Sequence, residues 1–409
     1  MHDVTHFGLD VLLVAGALSV ALLTAKLGAR LSVPSAAFFL VAAALASDAF
    51  PSLHLPIVTV ERLATVALIV ILFDGGSSIG LRRFWGSAVP IVSLGVLGTF
   101  ATAGLVAAFA HWTLGLGWLT SGLLAAAVSP TDPAVMFSVF GDREIGGRTG
   151  TILEGESGAN DPVGIALMLG LIQLATHANE TFWVVVRVFC EQMGIGLAIG
   201  IAGGLVEAQL LRRLALPSAG LYTVRTLALA GIVYGAATVA HGSGFVAVFV
   251  AGLLVGDVEA PFKGEIEVFQ EGLAALAEIV AFVALGLTID IGALSGSRWA
   301  EGLAVAAFLA FVARPSATGV LLAPVRLRVG ERLFVMWGGL KGAVPILLAA
   351  FAVTAHVAHA QRIYETVFVV VLASVVIQGG TIAFAAERLG VPMRRIAPTP
   401  RAERSASGR

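Results

Sequence analysis

Glu156, Ser157, Asn160 and Asp161 lie within one short stretch, Gly155-Glu156-Ser157-Gly158-Ala159-Asn160-Asp161-Pro162-Val163-Gly164, inside a run otherwise apolar enough to cross a membrane. Each carboxylate at mid-bilayer costs about 2.5 to 3.5 kcal/mol on insertion scales, so acids there are rare and mark ion or proton paths. Helical spacing sets Ser157 and Asp161 one turn apart, flanked by Asn160 and Gly164, and pairs Glu156 with Asn160 on the neighbouring face. A hard monovalent cation prefers oxygen ligands, and this stripe offers a hydroxyl and a carboxylate. Ser129-Pro130-Thr131-Asp132-Pro133 adds the Asp132 carboxylate and the Thr131 carbonyl freed by the prolines. Charge balance fits exchange: Asp132, Glu156 and Asp161 stand against Arg314 and Lys341, so one cation or one proton neutralises the group. Two nearby carboxylates in a poorly hydrated site do not both hold charge readily, so proton and cation compete for the same oxygens.

The elements that must position these groups are transmembrane helices. With 58% hydrophobic residues, 12% charged residues and a mean hydropathy of +0.94, the chain lies far outside the range of soluble domains. Its net charge of -1 gives no hint of nucleic acid, and the single Cys190, in an apolar run, excludes an internal disulfide framework and reads as inert packing. Apolar runs predict thirteen spans, near 7–27, 31–47, 57–76, 86–111, 116–140, 149–175, 181–211, 219–240, 243–257, 266–289, 299–324, 331–354 and 362–386. The first is expected to be a retained helix, because no basic region precedes it as in a cleaved signal peptide. With the N-terminus outside, the inner connections collect Lys26, Arg30, Arg82, Arg83, Arg143, Arg148, Arg212, Arg213, Lys263, Arg326, Arg328 and Arg332, while the outer side holds only Arg62, Arg298 and Arg362. That asymmetry sets the C-terminus in the cytoplasm, and the plasma or inner membrane is the expected location. Residues 391–409 read as a disordered basic tail.

The fifth and twelfth spans should be broken, the fifth by its prolines and the twelfth by Gly338-Gly339-Leu340-Lys341-Gly342-Ala343-Val344-Pro345. Irregular backbone at membrane depth survives only where protein buries it or water lines it. Two such spans, seven apart and oppositely directed, point to inverted repeats around a midplane site. Spans 1–6 (residues 7–175) and 8–13 (residues 219–386) would be the repeats, with 181–211 as linker. Half-helix dipoles place Asp132 among positive N-terminal ends and Lys341 among negative C-terminal ends. Arg314, inside the eleventh span, needs a partner, and Glu156 is the natural one, pinning two helices together. Gly155 and Gly158 would let the fifth and sixth spans approach closely. Glu278 reads either as a second proton carrier or as an interhelical hydrogen-bonding residue, the latter preferred because no motif surrounds it. Arg187 and Glu191 read as a local pair, Arg225 and Glu207 as snorkelling groups, and the eight scattered histidines as incidental.

Taken with Phe73-Asp74-Gly75-Gly76, these motifs make the chain resemble the monovalent cation/proton antiporters of the NhaP and Na+/H+ exchanger type, from the first span to the last. The resemblance implies an all-α polytopic fold of thirteen helices in two inverted six-helix repeats, a moving core beside a dimerisation domain, and a homodimer in the lipid bilayer. It implies that Asp161 holds cation or proton alternately, with Ser157, Asp132 and the Thr131 carbonyl as co-ligands. Asn160 would mark the electroneutral branch, and Asp74 would assist through water from near the inner end of its span. No catalytic group or cofactor is implied beyond the transported Na+ or K+ and H+. Two features depart from the family pattern: Lys341 stands where many relatives have arginine, and the large cytosolic domain common in the potassium/proton branch, which the Gly-Glu-Ser-Gly-Ala-Asn-Asp-Pro stretch is most similar to, does not lie within these 409 residues, as in a minimal member or a truncated chain. A sodium-coupled solute symporter or an ion channel of related fold is the alternative, and the sparse polar content of the spans favours a small ion alone.

Overall fold

In lipid, backbone groups must find partners within their own segment, so apolar runs of this length fold as helices. The computed structural model describes residues 34–50, 53–140 and 143–395, together with Gly8, Gly16 and Ser19; the first expected span, 7–27, lies outside the described residues. Every other expected span contains a helix. In chain order these are α1 Ser35–Ala49, α2 Ile57–Gly86, α3 Ala88–Leu114, α4 Trp118–Val128, α5 Pro133–Phe137, α6 Gly147–Thr176, α7 Trp183–Arg213, α8 Ala219–Val239, α9 Gly244–Gly256, α10 Lys263–Gly286, α11 Gly296–Leu322, α12 Val329–Trp337, α13 Ala343–Thr354 and α14 Ala360–Arg388. Among the described residues, seven helices are long and apolar enough to cross a membrane, and four more are shorter apolar segments.

Both spans expected to break do so. The fifth splits into α4 and α5 around Ser129–Asp132, and the twelfth into α12 and α13 around Gly338–Gly342. The third runs ten residues past its expected end at Gly76, with a kink at Gly80 (φ 68°). Gly76 serves packing: a Cβ there would strike the backbone of Phe249 and Leu253 on α9. Asp74 therefore sits well inside α2 rather than near its inner end.

α9 packs between α2 and α7, and α10 lies along α2 and α1. α6 contacts α7, α4 and α3, while α14 packs on α11 and α13. Among the described residues, three helices carry a π-helical turn, at Ser93–Gly98 in α3, Leu309–Ala313 in α11 and Ser374–Gln378 in α14. Such turns recur where a helix redirects a side chain towards a site. Here the second presents Arg314 and the third presents Ser374.

The basic tail does not begin as irregular chain. Met393–Arg395 (β2) pairs antiparallel with Arg143–Ile145 (β1), the segment between α5 and α6, and Gly146 N–H donates to the Pro392 carbonyl at 2.8 Å. Strand pairing wins because the backbone groups of both short segments have no helix to join. Residues 396–409 lie outside the described residues.

Candidate ion site at the crossing of two broken helices

Pro130 and Pro133 each lack an amide hydrogen, so α4 stops at Val128 and the chain runs irregularly through Asp132. Asp132 then caps α5: its Oδ1 accepts from Ala134 N–H at 2.9 Å, with Pro133 in the first turn. On the opposite side, α12 ends at Trp337 and α13 restarts at Ala343. The two irregular segments meet backbone to backbone, the Asp132 N–H donating to the Leu340 carbonyl at 2.8 Å.

Lys341 completes the crossing. Its Nζ donates to the Ser129 and Pro130 carbonyls, both at 2.9 Å, and its own N–H donates to Ser374 Oγ at 3.0 Å. The lysine thus sits on orphan carbonyls at the C-terminal end of α4, as dipole reasoning places it, and is 1% exposed. Asp132 lies at the N-terminus of α5 and beside Gly342, where a Cβ would overlap its carboxylate.

The α6 stripe closes on the same break. Ser157 Oγ donates to the Thr131 carbonyl at 2.6 Å, Asn160 Nδ2 donates to Thr131 Oγ1 at 2.7 Å, and Asn160 Oδ1 accepts from Thr131 N–H at 3.2 Å. Asn160 spends both ends of its amide on Thr131, so it clamps the broken segment and presents neither atom to the cavity described below. Asp161, one turn beyond Ser157, is 5% exposed, and its Oδ1 has no hydrogen-bond partner. A buried carboxylate oxygen left unpaired costs free energy unless an ion, proton or water meets it.

A cavity of about 470 Å³ supplies the access. Asp132, Ser157 and Asp161 line its deep part together with Glu278 from α10, and Asp74 from α2 lines it where it opens into a second space. It continues past Asp74, Ser78, Glu154 and Glu271 into this second space of about 400 Å³ that reaches Arg83, Ile145 and Asp257, at the end of the molecule carrying the β-ribbon. Beyond Asp161 in the other direction, Val163, Ile165, Ala349 and Ala350 are buried apolar residues.

Beside the site, Arg314 makes a bidentate pair with Glu156, Nη1 to Oε1 and Nη2 to Oε2 at 2.9 Å, and Nη2 reaches the Val335 carbonyl at 3.4 Å. The pair ties α6, α11 and α12 together, as expected of a structural pin. It fits because Gly339 packs against the guanidinium with no space for a side chain.

Several sequence expectations change. Gly155 and Gly158 admit Ile91 of α3 and Phe249 of α9, while the close approach of α6 to the fifth span falls at Gly164, against the Pro130 ring. Arg187 pairs with Glu180 at 3.4 Å rather than with Glu191, its neighbour one turn on. Glu207 and Arg225 do not snorkel: they form a pair at 3.3 Å, with Arg225 also donating to the Leu214 carbonyl at 3.2 Å and lying over the Tyr222 ring. Cys190 is exposed on the outer face of α7 rather than packed. Sequence reasoning passed over Ser374 and Gln378, joined Oγ to Oε1 at 2.8 Å beneath Lys341. Two polar residues four apart in an otherwise apolar span were the available signal.

Fold and site define a polytopic all-helical membrane protein whose two broken helices cross beside buried acids. Residues 16–388 match the family described as sodium/hydrogen exchanger, transmembrane, and the chain belongs to that family. It is 37% identical to the K(+)/H(+) antiporter NhaP of Alkalimonas amylolytica, over 78% of this chain and 56% of that protein. It is 32% identical to the K(+)/H(+) antiporter NhaP2 of Shewanella sp. (strain ANA-3), over 90% of this chain and 65% of that one. The chain thus spans 56% to 65% of the length of these curated relatives. Its fold is similar to the solved structure of the sodium proton antiporter MjNhaP1 from Methanocaldococcus jannaschii at pH 8, with a TM-score of 0.77, 22% identity and coverage of 91% of this chain and 99% of that one.

Proposed function

We propose that this chain exchanges a monovalent cation, Na+ or K+, for a proton across a membrane, without net charge transfer, at a seat formed by Asp161, Asp132, Ser157 and the Thr131 carbonyl. The observation that carries the proposal is the unpaired Oδ1 of Asp161, buried at the deep end of a cavity it shares with Asp132. Glu156 and Arg314 cancel one another in their own pair, leaving Asp132 and Asp161 against Lys341. That arrangement lacks one positive charge, which either one cation or one proton supplies. The names of the relatives, antiporters of K+ or Na+ with H+, support the same reading.

Thr131 supports cation binding through geometry. Its carbonyl is held by Ser157 and its amide and hydroxyl by Asn160, so it is positioned before an ion arrives. Preorganised oxygens bind a small cation without a further ordering cost. Asp74, lining both cavities, is placed to relay water or ion towards the seat.

The arginine-rich connections support a cytoplasmic mouth. The cavity leads to the end where Arg82, Arg83 and the β1 segment lie, and short inner loops collect such residues. In this orientation the N-terminus is outside, the C-terminus inside, and the site faces the cytoplasm. Alternating access then requires α3–α6 and α11–α14 to move as a core against a scaffold of α1, α2 and α7–α10. The inverted repeats 7–175 and 219–386 and a homodimer seated on the scaffold belong to the same reading.

Proteoliposomes carrying a pH-sensitive dye test it. Adding Na+ or K+ against a pH gradient should move protons with no net current, and Asp161→Asn should abolish the signal. Cation-dependent proton movement that persisted in Asp161→Asn would falsify the assignment.

A further inference from the structure

Glu278 lines the deep cavity, and neither the pinning pair nor the crossing of broken helices explains it. It lies on α10, a helix packed along α1 and α2 that also touches α13, so it reaches the cavity from a different helix than the α6 stripe does. Among the described residues, no hydrogen-bond partner reaches its buried Oε1 and no basic side chain pairs with it. The interhelical hydrogen bond expected of a structural glutamate is therefore missing at that oxygen.

The neighbours of Glu278 have a pattern. The residues of α10 lining the cavity are Glu271, Ala274, Ala275, Glu278 and Ala281, a single stripe at helical spacing. An acid stands at each end of two alanine-lined turns: Glu271 where the deep cavity joins the outer one, and Glu278 opposite Asp132 and Asp161. The alanines leave room for a hydrated ion, and no polar side chain of α10 stands between the two acids. The charged groups facing this stripe are Asp74 from α2, Glu154 from α6 and Asp132 and Asp161 at the crossing. Lys341 is turned away, with its Nζ committed to the Ser129 and Pro130 carbonyls.

We propose that Glu278 is a further ion-handling carboxylate, contributed by the scaffold, which receives the cation or proton between Glu271 at the cavity neck and the Asp132–Asp161 seat. This deepens the exchange reading above and rests on it. A carboxylate on the scaffold and two on the core lie on opposite sides of the surface along which core and scaffold move. The ion would pass from a ligand that stays to ligands that travel, and Glu278 would hold a proton once the ion has left, since no cation of the protein neutralises it.

Glu278→Gln keeps the shape and removes the charge, and Glu278→Asp keeps the charge on a shorter arm. In proteoliposomes, Glu278→Gln should raise the cation KM about tenfold and alter the pH dependence of exchange while the maximal rate falls only a few-fold, and Glu278→Asp should lie between it and the native protein; tenfold corresponds to about 1.4 kcal/mol. Binding of Na+ or K+ to the purified proteins, read by thermal shift or calorimetry, should weaken by the same factor. Native KM, pH profile and affinity in Glu278→Gln, with Asp161→Asn inactive, would overturn the role of Glu278 and leave exchange standing. If the native protein moved no protons, the exchange reading would fall. The binding titration would then decide on Glu278, with weakened affinity supporting its contact with the ion and unchanged affinity refuting it. Should Glu278→Gln not fold, the same two outcomes are read from Glu278→Asp.

Discussion

Asp132 N–H donates to the Leu340 carbonyl at 2.8 Å, so the two broken helices are joined through their main chains at the point where they cross. Neither residue's side chain makes that bond. The groups around it depend on particular side chains, and the consequences can be measured.

Lys341 is the only side chain reaching the Ser129 and Pro130 carbonyls among the described contacts. Lys341→Met leaves two buried acceptors unpaired, at about 1 to 3 kcal/mol each. A pronounced drop in thermal stability of the purified protein is expected. Lys341→Arg keeps the charge with altered geometry and should recover part of it. Equal melting temperatures for native protein and Lys341→Met would contradict the crossing role.

Glu156 and Arg314 should show strong coupling. Removing one partner, as in Glu156→Gln or Arg314→Met, strands a buried charge and should destabilise by about 3 to 5 kcal/mol. The double variant Glu156→Gln/Arg314→Met should be far less harmful than the sum of the two. A double-mutant cycle on unfolding checks this, additivity being the contrary result.

Gly342 leaves space for the Asp132 carboxylate, and a Cβ there would occupy the same volume. Gly342→Ala should weaken cation binding at least about tenfold, a loss of roughly 1.4 kcal/mol, by displacing one ligand of the seat. Titration of the purified variant with Na+ or K+ provides the measurement, and native affinity would show that Asp132 is not a ligand.

Competition at one seat has a definite pH signature. On the acid limb, where a proton occupies the seat, each unit of pH lowered should raise the apparent cation KM about tenfold for one proton displaced. On the alkaline limb the KM should become independent of pH. Exchange rates across a cation-by-pH grid test this, and a pH-independent KM throughout would exclude a shared seat.

Much of the site was legible in the sequence because the bilayer makes polar residues conspicuous. The Pro130–Pro133 pair and the glycines around Lys341 announced broken helices, since each removes backbone bonding or stiffness that the sequence shows directly. Arg314 pointed to Glu156 because a buried guanidinium tolerates few alternatives. Spacing along one helix assembled Ser157, Asn160 and Asp161 without reference to any other element.

What tertiary structure alone decided is which atoms remain free. Asn160 belongs to the α6 stripe by spacing, yet Thr131 consumes both of its polar ends; Asp161 keeps an unpaired oxygen because no donor from another helix reaches it. Glu278 looked like an isolated acid until α10 was laid against the crossing, where it faces Asp132 and Asp161 across one cavity. Gly155 and Gly158 advertised close packing in the same way, but only the folded chain assigned them to α3 and α9 and gave the contact with Pro130 to Gly164. Local sequence determines helix, break and charge because these depend on a residue and its near neighbours. Partnership and cavity depend on the distances between segments far apart in the chain, which packing sets.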